Sequence, residues 1–220
     1  MVADNTDLYT DLRDRLVNGG FKPNQRLRAD ELRKDYGVSA SNIREVLFRL
    51  STVGLVDFLE QKGFRTPERS DATQHDLTQF RIYLECQGAC LSIRLGGLEW
   101  EARLSAAHHK LSHIENYIED NAPSVETLRL WTTAELNFHQ TLIDACELDS
   151  LKQTHDVVYH RFRQQMFMNG TNFYQENVTQ HREILEAVLK KDELLTCDLI
   201  HMHLSRNLQK PLPRPMAAMP

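Results

Sequence analysis

Two short helical patterns separated by a glycine turn constrain the N-terminal part of the chain more than any other feature. Residues 29–36 form one helical pattern, and the run Gly37-Val38-Ser39 interrupts it after about two turns. Ser39 is a favourable N-cap for a further helix at 40–52. A helix, a glycine turn and a capped helix in this order predict a helix-turn-helix.

A further helical pattern precedes this unit, and a strand hairpin follows it. Residues 7–18 place their leucines on one stripe, which gives the two later helices an apolar surface to pack on. The β-like runs 55–59 and 64–66 are joined by the turn Gln61-Lys62-Gly63. We therefore predict a winged helix-turn-helix domain over residues 1–68.

Strand signals vanish after the polar linker at 67–71, and only helical periodicity remains. This pattern predicts an antiparallel all-helical bundle over 72–208, so that the fold class is mainly α. The proline-rich residues 209–220 cannot continue a helix and are expected to form a disordered tail. The predicted helices of the bundle are 72–94, 98–120, 124–146, 148–168, 173–190 and 192–208.

Composition excludes few classes of protein. The 220 residues suit a small domain plus a medium one, and the net charge is −5. Residues 1–70 hold 12 basic and 11 acidic side chains, so charge alone does not indicate DNA binding. No run approaches the ~20 apolar residues of a membrane span, and no signal peptide is evident, so a cytoplasmic protein is expected. The four cysteines form no C-x-x-C pair and are interpreted as buried thiols.

The predicted helix at 40–52 has an apolar face and an opposite polar face. Ile43 and Leu47 face the domain core, whereas Ser41 and Arg44 face outward. An arginine one turn into this helix is placed to reach a guanine edge or a phosphate. The alternative is a solvated helix face. The candidate DNA contacts are Ser39, Ser41, Asn42, Arg44, Arg49, Lys62 and Arg65.

Three of the ten histidines lie on apolar helical stripes, where a polar group needs a partner. His139 follows Glu135 by four residues, which places both side chains on one helical face. His181 and His203 are equally far from residue 192, at the centre of a predicted hairpin turn, and should therefore stand level. The spacing predicts one common site. The alternative is a set of separately satisfied core histidines.

Three imidazoles and one carboxylate with open positions suit Zn²⁺, Ni²⁺, Fe²⁺ or Mn²⁺. We therefore predict that Glu135, His139, His181 and His203 bind one divalent transition metal. His201 lies about 200° around the helix from His203 and should point elsewhere.

Several runs of the N-terminal part together resemble the GntR class of transcription regulators, over roughly residues 8–68. The sequence departs from the common pattern of that class at Asp30, Ala40 and Asn42. The runs that carry the resemblance are Leu27-Arg28-Ala29-Asp30-Glu31-Leu32, Gly37-Val38-Ser39, Ile43-Arg44-Glu45-Val46-Leu47-Phe48-Arg49-Leu50, Gly54-Leu55-Val56 and Lys62-Gly63-Phe64.

The rest of the chain resembles the FadR-like branch of that class, with a C-terminal FCD domain over about 73–208. The run Gly96-Gly97-Leu98-Glu99-Trp100-Glu101-Ala102 is similar to CsiR-like members of the branch. Many FCD domains hold a metal with an Asp-x-x-x-His pair and two later histidines, so the resemblance implies the same four residues, with Glu135 in place of the commoner aspartate. It also implies that Arg81 lines a pocket for small organic acids.

The sequence thus favours a transcription regulator that is controlled by a carboxylate effector at or near the metal. Its expected partners are a palindromic operator and a second copy of the chain, because one recognition helix reads only a few base pairs. One alternative is a metal-dependent hydrolase or oxygenase with an attached DNA-binding module, although no acid or base stands out beside the metal residues. Another is an architectural DNA-binding protein with a purely structural bundle.

Overall fold

The computed structural model describes residues 5–121, 124–168 and 177–208, and these residues form two compact units. The first unit contains the described residues up to Asp71, together with the stretch from His160 to Met168. The second unit contains Ala72–Tyr159 and the described residues from 177 onward. The division at Asp71 falls at the end of the polar linker. Residues 160–168 cluster with the first unit, although the sequence places them in the helical domain. The predicted tail at 209–220 lies outside the described residues.

Three helices and a small antiparallel sheet make up the N-terminal part of the first unit. The sheet has the strand order β1 (Arg26–Leu27), β3 (Gly63–Arg65), β2 (Asp57–Leu59), so the predicted hairpin is present and one further strand lies against it. This strand, β1, has only two residues, which is too short for an alternation of polar and apolar side chains to be recognised in the sequence. The elements are α1 (Asn5–Val17), β1 (Arg26–Leu27), α2 (Ala29–Tyr36), α3 (Ala40–Thr52), β2 (Asp57–Leu59) and β3 (Gly63–Arg65).

The turn between α2 and α3 has the local chemistry that the sequence predicts. Gly37 adopts a left-handed conformation with φ of 64°, which costs a glycine little, and its N–H donates to the Arg33 carbonyl. The Ser39 hydroxyl accepts a hydrogen bond from the Asn42 N–H at 3.1 Å and so caps α3. Ile43 and Leu47 of α3 are fully buried in the core of this unit. The helix-turn-helix is therefore confirmed.

The described residues of the second unit form helices and connecting turns, with no strand among them. The third predicted segment ends as a helix at Leu142, four residues early, and continues as a 3₁₀ turn at Asp144–Cys146. The start of the fifth predicted segment, at 173–176, lies outside the described residues. The helices from Asp71 onward are α4 (Asp71–Leu95), α5 (Leu98–Asp120), α6 (Val125–Leu142), α7 (Asp149–Met168), α8 (Asn177–Leu189) and α9 (Glu193–Ser205). The residues of α7 after Tyr159 are those that cluster with the first unit.

The bundle core is built from large apolar side chains, among them Trp131, Phe138 and Leu111. Helix α4 approaches this core closely at Gly88, where an added Cβ would lie 2.7 Å from the Ile143 Cβ. Packing this close holds the polar face of α4 against the interior of the bundle. Within the described chain, no helix combines the length and apolar character that crossing a bilayer requires.

Candidate DNA-reading surface and candidate metal centre

Helix α3 presents its polar face to solvent in the first unit. The Arg44 side chain is 59% exposed, and its Nη2 lies 3.8 Å from Asp30 Oδ2 at the start of α2. Ser41 is also exposed. A guanidinium held loosely by one exposed carboxylate remains able to bind a base edge or a phosphate.

A concave surface, which encloses a volume of about 770 Å³, lies between the start of α2, helix α3 and the hairpin. Arg44 lines it from α3, and Lys62 lines it from the hairpin tip. Arg26 and Arg28 add two further cationic side chains, and Asp30 and Glu31 supply two acidic ones. Arg28 is paired with Glu31 at 2.9 Å. The surface therefore combines cations from three elements, as recognition of a phosphate backbone requires.

The other predicted DNA contacts already have partners within the first unit. Ser39 and Asn42 bond each other in the cap of α3, where the Ser39 hydroxyl lies 2.7 Å from Asn42 Oδ1. The Arg49 guanidinium lies 4.6 Å from the centre of the Tyr9 ring. Arg65 donates to the backbone and side-chain oxygens of Asn24 at 3.1 and 2.9 Å. Ser39 and Arg49 are nevertheless exposed, as are Lys62 and Ser41.

Helices α6, α8 and α9 bring His139, His181 and His203 together in the second unit. One ring nitrogen from each lies within 4.8 Å of the others. The rings of His181 and His203 are 4.5 Å apart between centroids, as expected if the two residues stand level across the α8–α9 hairpin. None of the three is more than 3% exposed. His201 is exposed and its Nδ1 pairs with the Ser205 hydroxyl.

In each imidazole Nδ1, here called the outer nitrogen, has a polar partner, and Nε2 is called the inner nitrogen. Nδ1 of His139 lies 2.7 Å from Glu85 Oε2, and Nδ1 of His181 lies 3.0 Å from Glu115 Oε1. Nδ1 of His203 lies 3.0 Å from Gln180 Oε1. Because carboxylates accept and do not donate, Glu85 and Glu115 favour the tautomers that carry the proton on Nδ1.

This tautomer leaves the inner nitrogens with free lone pairs. Nε2 of His139 and Nε2 of His181 are buried and have no hydrogen-bond partner. Leaving two such acceptors unsatisfied in a protein interior is costly, and a metal ion between them removes the cost. The outer partners fix the rings in the orientation that ligation needs.

The protonation state of the cluster also suits a metal. Burial lowers the pKa of His139. Burial, followed by the neighbouring His181 and His139, holds the pKa of His203 well below its usual value. These two imidazoles are therefore neutral near pH 7, which is the form that binds a metal.

Glu135 lies beside the histidine cluster and already has other partners. Its Oε1 is 3.4 Å from His139 Nε2 and 3.3 Å from Arg81 Nη2. The Tyr159 hydroxyl donates to its other oxygen. The structure thus brings the three predicted histidines together as one group and places the predicted carboxylate at its edge.

Arg81 lies in a buried ionic network that adjoins the cluster. Its Nε donates to Glu85 Oε1 at 2.6 Å, and His155 Nε2 lies 3.0 Å from the same oxygen. Burial alone would raise the pKa of Glu85, but Arg81 and His139 hold it well below its usual value. A carboxylate that remains ionised while buried anchors both the guanidinium and a candidate ligand.

Five members of this network were not identified from the sequence: Glu85, Glu115, His155, Tyr159 and Gln180. Glu85 follows Arg81 by four residues, so helical spacing alone was enough to pair them. The contact between Glu115 and His181 joins residues 66 positions apart and gives no local signal.

The side chains of the buried group favour a divalent cation. Three carboxyl groups, those of Glu85, Glu115 and Glu135, lie beside the histidines, and Arg81 is the guanidinium that contacts two of them. Three imidazoles with adjacent carboxyl groups are ligands that suit first-row transition metals and zinc.

Two family models match the chain, one on each side of the linker. The model for "Bacterial regulatory proteins, gntR family" matches residues 5–65. The FCD domain model matches residues 76–206, which is more than half of the chain.

Characterised and uncharacterised relatives agree with these matches. The HTH-type transcriptional regulator BphR of Paraburkholderia xenovorans is 30% identical over 90% of this chain and 80% of its own length. The transcriptional repressor GlaR of Escherichia coli is 27% identical over 93% of this chain and 94% of its own length. These relatives are named as regulators of transcription, and this groups the chain with regulators and not with enzymes.

Solved structures show the same fold. McbR/YncC of E. coli superposes with a TM-score of 0.77 at 19% identity, over 94% of this chain and 96% of that one. A putative GntR regulator from Rhodococcus sp. RHA1 gives a TM-score of 0.73 at 21% identity, over 92% and 94% of the two chains. The chain therefore belongs to the gntR family of bacterial regulatory proteins and carries an FCD domain after its winged helix-turn-helix.

Proposed function

We propose that this GntR-family regulator binds one divalent transition metal through His139, His181 and His203, and that a small carboxylate effector bound at this metal controls its affinity for operator DNA. The family supplies the coarser part of this statement, a DNA-binding head and an effector-binding FCD domain. The metal, the effector class and the residue roles are our proposal.

The observation that carries the proposal is that the buried inner nitrogens of His139 and His181 accept no hydrogen bond. The nearest polar atom given for His139 Nε2 is Glu135 Oε1, at 3.4 Å. Most buried polar atoms in proteins have a hydrogen-bond partner. His108 and His155 also have one buried ring nitrogen without such a partner, but neither belongs to the group of three converging imidazoles. Here the outer nitrogens are bonded to carboxylates and the inner ones converge with a third imidazole. This is how metal-ligating histidines are oriented. Zn²⁺, Ni²⁺, Fe²⁺ and Mn²⁺ all fit the donor set.

Arg81 is proposed to respond to the effector. In the structure its guanidinium is shared between Glu85 and Glu135. An effector carboxylate at an open metal position would compete with Glu135 for this guanidinium, because both are anions beside the same cation. Glu135 then acts either as a fourth ligand or as the group that the effector displaces. A coupling of about 1–3 kcal/mol between effector and operator is enough for regulation.

At the DNA, Arg44 is proposed to read a base and Lys62 to bind a phosphate. A second copy of the chain would supply the other half of the contacts, so the operator is expected to be palindromic. Access to an operator also implies a cytoplasmic location, which stays a prediction. The further proposed contacts are Ser39, Ser41, Asn42, Arg49 and Arg65.

A thermal-shift screen tests this proposal. Small organic acids would be added to the zinc-loaded full chain and to the same protein after chelation. A true effector raises the unfolding temperature because it binds only the folded state. We expect at least one acid to act on the loaded protein and to lose its effect after chelation. Acids that act equally on both forms, or on none, would contradict the proposal. The His201→Ala variant is the control and should respond as the original chain does.

A further inference from the structure

Two cysteines from distant parts of the chain meet on the second unit. Cys90 lies on α4 and Cys197 lies on α9, and their Sγ atoms are 3.2 Å apart. The two cysteines are not joined by a disulfide in the structure, and both residues are only partly buried. Neither belongs to the histidine cluster or to the DNA-reading surface.

Contacts on both sides hold α4 and α9 together at this point. One turn beyond Cys90, Arg94 makes a two-point ion pair with Glu193, with distances of 2.8 and 2.5 Å. One turn before Cys90, the Cys86 thiol lies 3.7 Å from the Cys197 carbonyl oxygen. The Cys197 thiol lies 3.8 Å from the Cys86 carbonyl oxygen. The two sulfurs therefore face each other between two fixed points.

We propose that Cys90 and Cys197 are a modification site, at which oxidation forms a disulfide that joins α4 to α9. A disulfide bond is about 2.05 Å long, so the sulfurs must approach by roughly 1 Å. Rotation about the side-chain torsions of two partly exposed cysteines allows such a movement without a change of helix packing.

The chemistry balances with a disulfide or a peroxide as oxidant. With glutathione disulfide, the thiolate of one cysteine attacks a glutathione sulfur and one glutathione leaves. The second cysteine then attacks the mixed disulfide and releases the other glutathione. Two protein thiols lose two electrons and two protons, and one glutathione disulfide becomes two glutathione thiols. With hydrogen peroxide, a sulfenic acid forms first, and two waters are the products.

The environment of the two thiols determines how fast the disulfide forms, whereas the amount formed is determined by the redox equilibrium. Burial, together with the contact to Cys197, raises the pKa of the Cys90 thiol to about 12. Burial also raises the pKa of Cys197. The reactive thiolate is therefore scarce near pH 7, and the pair reacts slowly. The experiment must accordingly reach equilibrium.

The test uses the full chain equilibrated in mixtures of glutathione and glutathione disulfide. Free thiols are then blocked with an alkylating agent, and the protein is measured intact and after proteolysis. We expect the loss of two hydrogen atoms and a single cross-link between the peptides of Cys90 and Cys197. The unfolding temperature of the oxidised chain should rise by about 5 °C or more, because the bond closes a long loop.

Cys86→Ser is the matched control, one helical turn from Cys90 on the same helix. This variant should form the same cross-link, whereas Cys90→Ser and Cys197→Ser should form none within the chain. A cross-link that includes Cys86 in the original chain would overturn the proposal. So would mixed disulfides with glutathione alone, cross-links between chains alone, or an oxidised chain that unfolds at the same temperature as the reduced one.

Discussion

The proposed DNA-reading surface and the histidine cluster differ in how their polar groups are arranged before any ligand binds. On the surface, Arg44 is exposed and loosely paired with Asp30 at 3.8 Å. In the cluster, His139 is fully buried, its Nδ1 is fixed by Glu85 at 2.7 Å, and its Nε2 has no hydrogen-bond partner. The surface is thus loosely held and open to solvent, whereas the cluster is buried and held by hydrogen bonds.

This difference predicts unequal consequences of single substitutions. An exposed cation contributes one contact among many, and water and salt screen it in the absence of DNA. A buried side chain that binds a metal is one of only a few ligands of that ion, and water does not restore the affinity that is lost when this side chain is removed. Substitutions in the cluster should therefore have the larger effects.

The largest effect is expected for His203→Ala. Removing one of three imidazoles should weaken metal binding by at least about 100-fold, since each ligand carries a large share of the affinity. Metal content after purification measures this, with His201→Ala as the matched control on the same helix. Equal metal content in the two variants would place the ligand elsewhere. Operator binding should persist if the variant still folds.

Glu85→Gln should have a smaller effect on the same measurement. The amide keeps the size of the carboxylate but holds His139 and Arg81 less strongly. We expect metal affinity to fall about 10–100-fold, as is usual when the partner of a ligating histidine changes. Glu99→Gln at the exposed start of α5 is the control. If Glu85→Gln retains full affinity and a normal unfolding temperature, the outer partners do not orient the ligands.

Arg44→Ala tests the surface. If Arg44 makes a bidentate contact to guanine, its removal should cost about 1–3 kcal/mol of binding free energy at a specific site. The fold should be unaffected because the side chain faces solvent. A gel-shift titration on the operator measures it. Arg13→Ala on α1 replaces an arginine that is paired with Asp14, and it should bind DNA normally. Unchanged affinity of the Arg44 variant would remove this residue from the reading face.

The smallest effect is expected for Lys62→Ala at the hairpin tip. Loss of one phosphate contact should weaken binding to all sequences alike and should lower the salt slope by about 1. Titrations on operator and random DNA at several salt concentrations provide the comparison. A loss confined to particular bases, with an unchanged slope, would mean that the hairpin reads sequence.

The same contrast explains what the sequence could predict. The DNA-binding head follows from local signals, because the Gly37 turn, the Ser39 cap and the apolar face of α3 each lie within a few residues. The predicted bounds of α2 and α3 are accordingly the observed ones. Strand β1 was missed because its two residues are defined only by pairing with Phe64 and Arg65 of β3.

In the bundle, the prediction of the histidine cluster depended on the equal distance of two residues from one turn, and not on signals within a few residues. His181 and His203 were predicted to stand level because the α8–α9 hairpin is short, and their ring centroids are 4.5 Å apart. No such symmetry relates His181 to Glu115 on α5, or Glu85 to His155 on α7. Those contacts depend on how separate helices pack, and a single sequence does not encode that in its spacing.

A cobalt titration tests the central claim most directly. Co²⁺ binds where zinc binds, and its visible absorption reports the ligands around it. Added to the chelated full chain, it should give bands that saturate at one equivalent, vanish on addition of zinc, and be absent in His203→Ala but present in His201→Ala. No saturable band, or equal bands in both variants, would show that the three buried histidines do not form a metal site.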